Sequence, residues 1–291
     1  MRSTDTARQR FLRTLAPVFV CLLTASILLA LDTPKPPDVE PPAARAEPPA
    51  VLVFSRTTGF RHGSIPAGIK SLTELGREHG FRVEATEDPR FFEPTRLGKT
   101  DCVVFLNTTG DVLDDEQQRH FENFIRGGGG YVGVHSAADT EYDWPWYGRL
   151  VGAWFKTHPA IQPARINVED RTFPATRMLP ATWDRTDEWY VYRKNPRPNV
   201  RVLMSLDETS YQGGGMDGDH PISWYHDYDG GRAFYTGGGH TDASYAEPLF
   251  REHLAGAIKW AAGMTPHPPR KPAVPTDAVP GDATPDKGAT R

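Results

Sequence analysis

Four short strand-like segments separated by helical patterns constrain the fold of this chain most strongly. Ala50–Phe54, Cys102–Leu106 and Tyr131–Val134 are rich in apolar residues, and Phe81–Thr86 has the composition of a strand. Short apolar runs of this length are typical of strands that are buried on both faces. Because helices alternate with these strands, the pattern predicts βαβ units, a parallel sheet and right-handed crossovers.

The helices between these strands carry recognisable start and stop signals. Pro66 suits the first turn of a helix, and Gly80 suits its end. Asp114 is followed three residues later by Gln117, which is the pattern of a capping box at the start of the next helix. The second half of the chain is less regular. We predict three strands and a final helix there: Val202–Leu206, Ile222–Tyr225, Arg232–Thr236 and Pro248–Gly263.

The two ends of the chain differ in composition from its centre. Residues 1–31 contain four arginines before an apolar run, Leu15–Leu31, which is the pattern of a signal or membrane-anchor segment. Residues 32–50 and 264–291 are rich in proline, which favours an extended, solvated backbone. We therefore predict a linker at 32–50, a disordered tail at 264–291 and one folded domain at 51–263.

The apolar run near the amino terminus leaves the mode of attachment open. An uncleaved helix would anchor the protein in the membrane, whereas cleavage after the small-x-small pattern Ala44–Ala46 would release it. Both alternatives predict an extracytoplasmic domain that touches the membrane only through an uncleaved segment. A third alternative is that the apolar run forms a buried core helix, but nothing in the proline-rich linker would fold this segment back onto the domain.

Charge and cysteine content exclude several classes of protein. The chain has 33 Lys and Arg against 37 Asp and Glu, so its net charge of −4 argues against a nucleic-acid partner. Two cysteines cannot form a disulfide framework or a cysteine-rich zinc fold, and Cys102 has the pattern of an inert core thiol. Gly127–Gly130 precede a strand rather than follow one, which argues against a nicotinamide-binding loop.

Polar residues cluster after the predicted strands, where open α/β sheets bind their ligands. They follow the first, the fourth and a late strand: Arg61 and His62, His135 and Asp139, and His240 and Asp242. We expect the three histidines to converge on one crevice. The alternative is that each is an ordinary loop residue bonded to the backbone.

The segment Gly133–Ala137 has the strand–turn–helix character of a nucleophile elbow. Its middle residue is His135 instead of serine, and Ser136 lies one place off. We therefore expect the turn to be retained and acyl-transfer chemistry to be lost.

Further polar and aromatic residues in the second half are candidates for substrate binding. We predict this role for six of them: His158, Asp187, Glu188, Trp189, His220 and Trp224. The tryptophans would form a wall for sugar rings, although core aromatics and solvated acids are the alternative. Imidazoles with carboxylates can bind zinc, manganese or iron. No closely spaced histidine pair fixes such a site, so the sequence requires no cofactor and leaves a divalent metal as one alternative.

Six motifs in order resemble the ThuA-like domain of trehalose-utilisation proteins. They are Thr57–His62, Gly127–Thr140, Thr157–Pro159, Thr186–Tyr190, His220–Trp224 and Gly230–His240. The resemblance implies an α/β flavodoxin-like sandwich with a mostly parallel central sheet, related to class I glutamine amidotransferases. It places His135 at the position of the amidotransferase nucleophile and His240 at that of its histidine, with Asp242 as the acidic partner. Glutamine hydrolysis is therefore not expected.

The resemblance also implies a carbohydrate as the small-molecule partner. The leading hypothesis is an exported enzyme acting on a disaccharide or its 3-keto derivative, with His135 and His240 as acid and base. Asp242 would assist them, and the other candidates would orient the sugar. A non-catalytic sugar-binding surface module and a metal-dependent hydrolase are the alternatives.

Overall fold

This computed structural model describes residues 47–267, which contain eleven strands and six α-helices. The strands are β1 Ala50–Phe54, β2 Arg82–Thr86, β3 Cys102–Leu106, β4 Gly130–Val134, β5 Phe155–Thr157, β6 Gln162–Val168, β7 Thr182–Asp187, β8 Val191–Tyr192, β9 Arg201–Asp207, β10 His220–Tyr228 and β11 Gly231–Thr236. The helices are α1 Ile65–His79, α2 Pro94–Leu97, α3 Asp115–Arg126, α4 Pro145–Val151, α5 Asp242–Ala246 and α6 Pro248–Ala261.

Five parallel strands form one half of a nine-stranded sheet, in the order β2-β1-β3-β4-β11. This is the strand order of flavodoxin-like sheets. Every residue of β3 and β4 is buried, as is expected for strands covered on both faces. The predicted α/β class with a parallel sheet is therefore correct for this half.

The other half of the sheet is antiparallel, in the order β10-β9-β6-β7, and β10 joins it to β11. The sheet as a whole is thus mixed, whereas the sequence predicted a mostly parallel one. The reason lies in the two-residue turn between β10 and β11. Asp229 and Gly230 have φ values of 48° and 95°, as a type I′ hairpin requires, and so short a loop can only join antiparallel strands.

The predicted helix signals are confirmed. Asp114 accepts hydrogen bonds from the backbone N–H groups of Glu116 and Gln117, and the Gln117 side chain completes the capping box. Gly80 ends α1 in the left-handed conformation, with φ of 78°. α1, α5 and α6 contact one another, and α6 also packs on β4 and β11.

The core is rich in aromatic side chains. Phe105 of β3 is fully buried and stacks on Phe121 of α3, with ring centroids 5.5 Å apart. The helices approach the sheet closely, because a Cβ at Gly130 would lie only 2.3 Å from the carbonyl oxygen of Ala261. This packing fixes the strand ends that carry the polar loops.

Between residues 47 and 267, no helix combines the length and the apolar character needed to cross a membrane. The predicted anchor or signal at 1–31 lies outside the described residues, as does most of the predicted tail.

Candidate functional site

Four side chains converge at the carboxyl edge of the parallel strands, and we call them the His/Glu centre: His62, His135, Glu188 and His240. His62 follows β1, His135 follows β4 and His240 follows β11, so three parallel strands each deliver one imidazole. Glu188 follows β7, which belongs to the antiparallel half. One ring nitrogen from each histidine and one carboxylate oxygen from Glu188 all lie within 4.8 Å of one another. The expected convergence of the three histidines is therefore observed.

Three of these atoms form a compact triangle. Nε2 of His135 lies 3.1 Å from Nδ1 of His240 and 3.4 Å from Oε2 of Glu188. The third side, from His240 Nδ1 to Glu188 Oε2, measures 3.0 Å. The ring of His62 completes the centre, with its centroid 4.9 Å from those of both other imidazoles.

The backbone at His135 has the strained turn that the elbow motif predicts. Its φ of 49° lies in the left-handed region, which is uncommon for a residue other than glycine. The ring is fully buried and packs on Tyr190, with centroids 4.1 Å apart. Its Nδ1 lies 2.9 Å from the carbonyl oxygen of Gly237, and the Tyr235 hydroxyl donates a hydrogen bond to the carbonyl oxygen of His135. The imidazole is therefore held in one orientation.

His62 is buried beside these rings. Its Nδ1 lies 3.3 Å from Oγ of Ser136, so this serine positions His62 in the observed arrangement. Burial, together with the neighbouring His135 and His240, lowers the pKa of His62 to about 3. The ring is consequently neutral near pH 7.

Glu188 and His240 stabilise each other's charged forms. Burial alone would raise the pKa of Glu188, but hydrogen bonds and charges from His135 and His240 outweigh it and lower this pKa. Burial would lower the pKa of His240, but its hydrogen bond to Glu188 outweighs burial and raises it. The second carboxylate oxygen, Oε1, lies 3.1 Å from Nδ1 of the exposed His158.

Asp187 holds the loop that carries His240. Its carboxylate is fully buried and accepts hydrogen bonds from the backbone N–H groups of Gly239 and His240, at 2.8 and 3.1 Å. Ser244 Oγ donates a third, and Arg185 forms an ion pair at 3.1 Å. Asp187 therefore supports the loop, and none of its side chain is open to a ligand in this structure.

Three other residues predicted to contact substrate also have fully buried side chains: Trp189, His220 and Trp224. The indole N–H groups of Trp189 and Trp224 donate to the carbonyl oxygens of Gln162 and Val151, so these rings belong to the core. His220 lies against Glu208 through Nδ1 and against the carbonyl oxygen of Tyr190 through Nε2, which fixes the segment that follows Glu188.

Three predicted residues lie at the surface around the centre. Asp242 is exposed in the first turn of α5. The sequence predicted Asp242 as the acidic partner of His240, but the carboxylate beside the His240 ring is that of Glu188. Arg61 is exposed and forms a bidentate pair with Glu87, at 2.7 and 3.0 Å. Asp139 is half-buried and accepts a hydrogen bond from Tyr142.

Phe60 is a residue that the sequence analysis missed. Its side chain is 67% exposed, and its ring stands edge-on to His62 with centroids 5.0 Å apart. It lies within the Thr57–His62 motif, but nothing in the sequence distinguishes an exposed phenylalanine from a core one. A cavity of about 550 Å³ lies elsewhere, at the amino ends of the strands, and the His/Glu centre does not border it.

The fold and the site define an α/β protein with a buried His/Glu centre at the carboxyl edge of its sheet. The chain belongs to the ThuA family, described as trehalose utilisation, whose model matches residues 50–261.

Solved structures support the same fold. A ThuA-like protein from Bacteroides uniformis has 24% identity and a TM-score of 0.63, with 76% of this chain and 95% of that chain covered. A ThuA-like protein from Parabacteroides merdae has 21% identity and a TM-score of 0.63, with coverage of 74% and 90%. No curated protein matches the sequence.

Proposed function

We propose that the protein is a carbohydrate-processing enzyme of trehalose-utilisation type, with the His/Glu centre as its reactive site. The observation that carries the proposal is the convergence of three imidazoles and one carboxylate at the edge of the sheet where α/β proteins bind ligands. Membership of the ThuA family supports a carbohydrate-related role. A disaccharide or its 3-keto derivative is the proposed substrate.

His135 and His240 are the proposed base and acid. Because the Gly237 carbonyl oxygen can only accept a hydrogen bond, Nδ1 of His135 carries a proton, and Nε2 is the position at which this ring can gain or lose one. His240 holds its Nδ1 between that nitrogen and the Glu188 carboxylate, and its side chain is 20% exposed. In this arrangement an imidazole in contact with solvent can exchange protons with a sugar hydroxyl.

Phe60 is the proposed platform for a sugar ring. An exposed aromatic face can pack against the C–H groups of a sugar, and this ring adjoins His62. Arg61, Asp139 and His158 would contact sugar hydroxyls from the surrounding surface. This assignment replaces the two tryptophans, which are buried in the core.

Glutamine amidotransferase activity is not proposed. His135 occupies the elbow position, and the one cysteine among the described residues, Cys102, is buried in β3. Export of the protein, by an anchor or a cleaved signal, is proposed from residues 1–31 alone. Cell fractionation with an antibody to the folded domain would test it.

Turnover by the full chain tests the proposed function. The protein would be incubated with trehalose, other disaccharides and their 3-keto forms, and the products separated by chromatography. We expect His135→Ala and His240→Ala to lose turnover, while His120→Ala, a histidine on α3, keeps it. Normal turnover by both site variants would refute the assignment. Binding of a sugar that is returned unchanged would instead support the non-catalytic module.

A further inference from the structure

The triangle formed by His135 Nε2, His240 Nδ1 and Glu188 Oε2 has the dimensions of one face of a metal coordination sphere. Its sides measure 3.0, 3.1 and 3.4 Å. Four ligands at the usual zinc distances of 2.0–2.1 Å lie about 3.3 Å apart at tetrahedral angles. We infer that the centre binds one divalent first-row transition ion, with His62, His135, Glu188 and His240 as its ligands.

Hydrogen bonding alone does not satisfy the triangle. Nδ1 of His135 donates to the Gly237 carbonyl oxygen, so in the neutral form of this ring it is Nε2 that presents a lone pair. Oε2 of Glu188 presents another lone pair, 3.4 Å away and in the same buried space. Nδ1 of His240 carries at most one proton, which can point either to Nε2 of His135 or to Oε2 of Glu188, but not to both. A cation in contact with all three atoms removes this repulsion.

The surroundings of the ligands match those of known metal sites. A histidine that binds a metal usually donates its second ring N–H to a carbonyl or carboxylate, which fixes the tautomer. Gly237 O does this for His135, and Ser136 Oγ contacts Nδ1 of His62, which leaves Nε2 as the ligand atom. Glu188 is oriented in turn by His158 through its other oxygen.

The donor set indicates the class of ion. Three imidazole nitrogens and one carboxylate oxygen suit zinc, iron, manganese or nickel, whereas magnesium and calcium prefer oxygen ligands. Glu188 contributes one negative charge, so a divalent ion leaves the centre with a net charge of +1. Partial exposure of His240 leaves a side from which a sugar oxygen could reach the ion.

This inference deepens the proposed function without depending on it for its test. With an ion bound, His135 and His240 act as ligands. Polarisation of a sugar oxygen by the metal then replaces proton transfer by the imidazoles.

Metal binding is measured directly on the full chain, purified without a histidine tag and stripped with a chelator. Zn²⁺ would be titrated by calorimetry, and we expect one ion per chain. Glu188→Gln keeps the shape of the side chain and should weaken binding by more than about 100-fold, beyond the effect of losing a residue that only orients a ligand. His120→Ala is the matched histidine control and should bind Zn²⁺ normally. Co²⁺ would report on the ligands through its visible absorption, which should change in His240→Ala.

The outcomes separate the two proposals. Absence of stoichiometric binding, or binding that Glu188→Gln and His240→Ala leave unchanged, overturns the metal centre. Sugar turnover that persists in chelator-stripped protein likewise overturns a catalytic metal and leaves the acid–base proposal standing. Site-specific metal binding without sugar turnover supports the centre and contradicts the proposed function.

Discussion

Replacing Asp187 with asparagine tests whether this buried carboxylate holds the His240 loop in place. Oδ2 of Asp187 accepts from Gly239 N and Ser244 Oγ and pairs with Arg185, whose side chain is 4% exposed. An asparagine would either turn its NH₂ group toward these donors or turn it toward the N–H groups of Glu188 and His240 at the other oxygen. Both orientations oppose donor to donor, and Arg185 keeps only the partly exposed Glu247 as a charged partner.

The expected loss follows from the cost of breaking a buried ion pair. Removing one partner of such a pair costs about 3–5 kcal/mol. Urea denaturation of the full chain, followed by tryptophan fluorescence, would measure it. With a slope of about 3 kcal/mol/M, the midpoint should fall by roughly 1–1.7 M.

Asp184 provides a matched control on the same strand. It lies on the exposed face of β7 and pairs with Arg165 at 3.0 Å, with 69% of its side chain accessible. Because surface pairs contribute about 0–1 kcal/mol, Asp184→Asn should shift the midpoint by less than about 0.3 M. Equal shifts for the two variants, or a shift below 0.3 M for Asp187→Asn, would refute the reasoning.

Three further predictions concern other parts of the molecule. Trp224→Phe should lower the melting temperature and leave the KM for a sugar unchanged, whereas Phe60→Ala should raise KM with little effect on melting; the opposite pattern contradicts the assignment. Burial lowers the pKa of His253 to about 4, so the unfolded chain binds a proton that the native state excludes between pH 6.5 and 4. Stability should therefore fall by up to roughly 3 kcal/mol as pH drops through this window, and His253→Gln should reduce the slope measured by denaturation at several pH values. Cys102 is fully buried, and burial raises the pKa of its thiol; in a Cys21→Ser background it should react with a thiol reagent only on unfolding, and fast labelling of native protein would argue against this.

The parallel half of the sheet could be predicted because each strand carries its own local signal. β1 and β3 were predicted with the bounds that the structure has, since an apolar run buried on both faces needs no distant partner to be recognised. The His135 turn was likewise predicted from its neighbours, because small residues around a sharp turn form a local pattern. The three histidines follow from the same rule, since parallel strands end at one edge.

β6 and β7 were not predicted, and for β7 the reason is that two of its three buried residues are charged. Arg185 and Asp187 occupy buried positions of β7, where an ion pair and hydrogen bonds replace hydrophobic contacts. The pairing of His240 with Glu188 instead of Asp242 depends on the fold that brings β7 to this edge. Burial of Trp189 and Trp224 depends on the same tertiary packing, and no local pattern encodes it.

The position of Glu188 at the end of the antiparallel half has a consequence for how the protein folds. The imidazoles come from the parallel half, and even His135 and His240 are 105 residues apart in the chain. Contacts between such distant segments require the closure of long loops, which slows folding. The centre can therefore assemble only after both halves of the sheet have docked. A partly folded chain in which only the parallel half has formed would bring the three histidines to one edge and still lack Glu188.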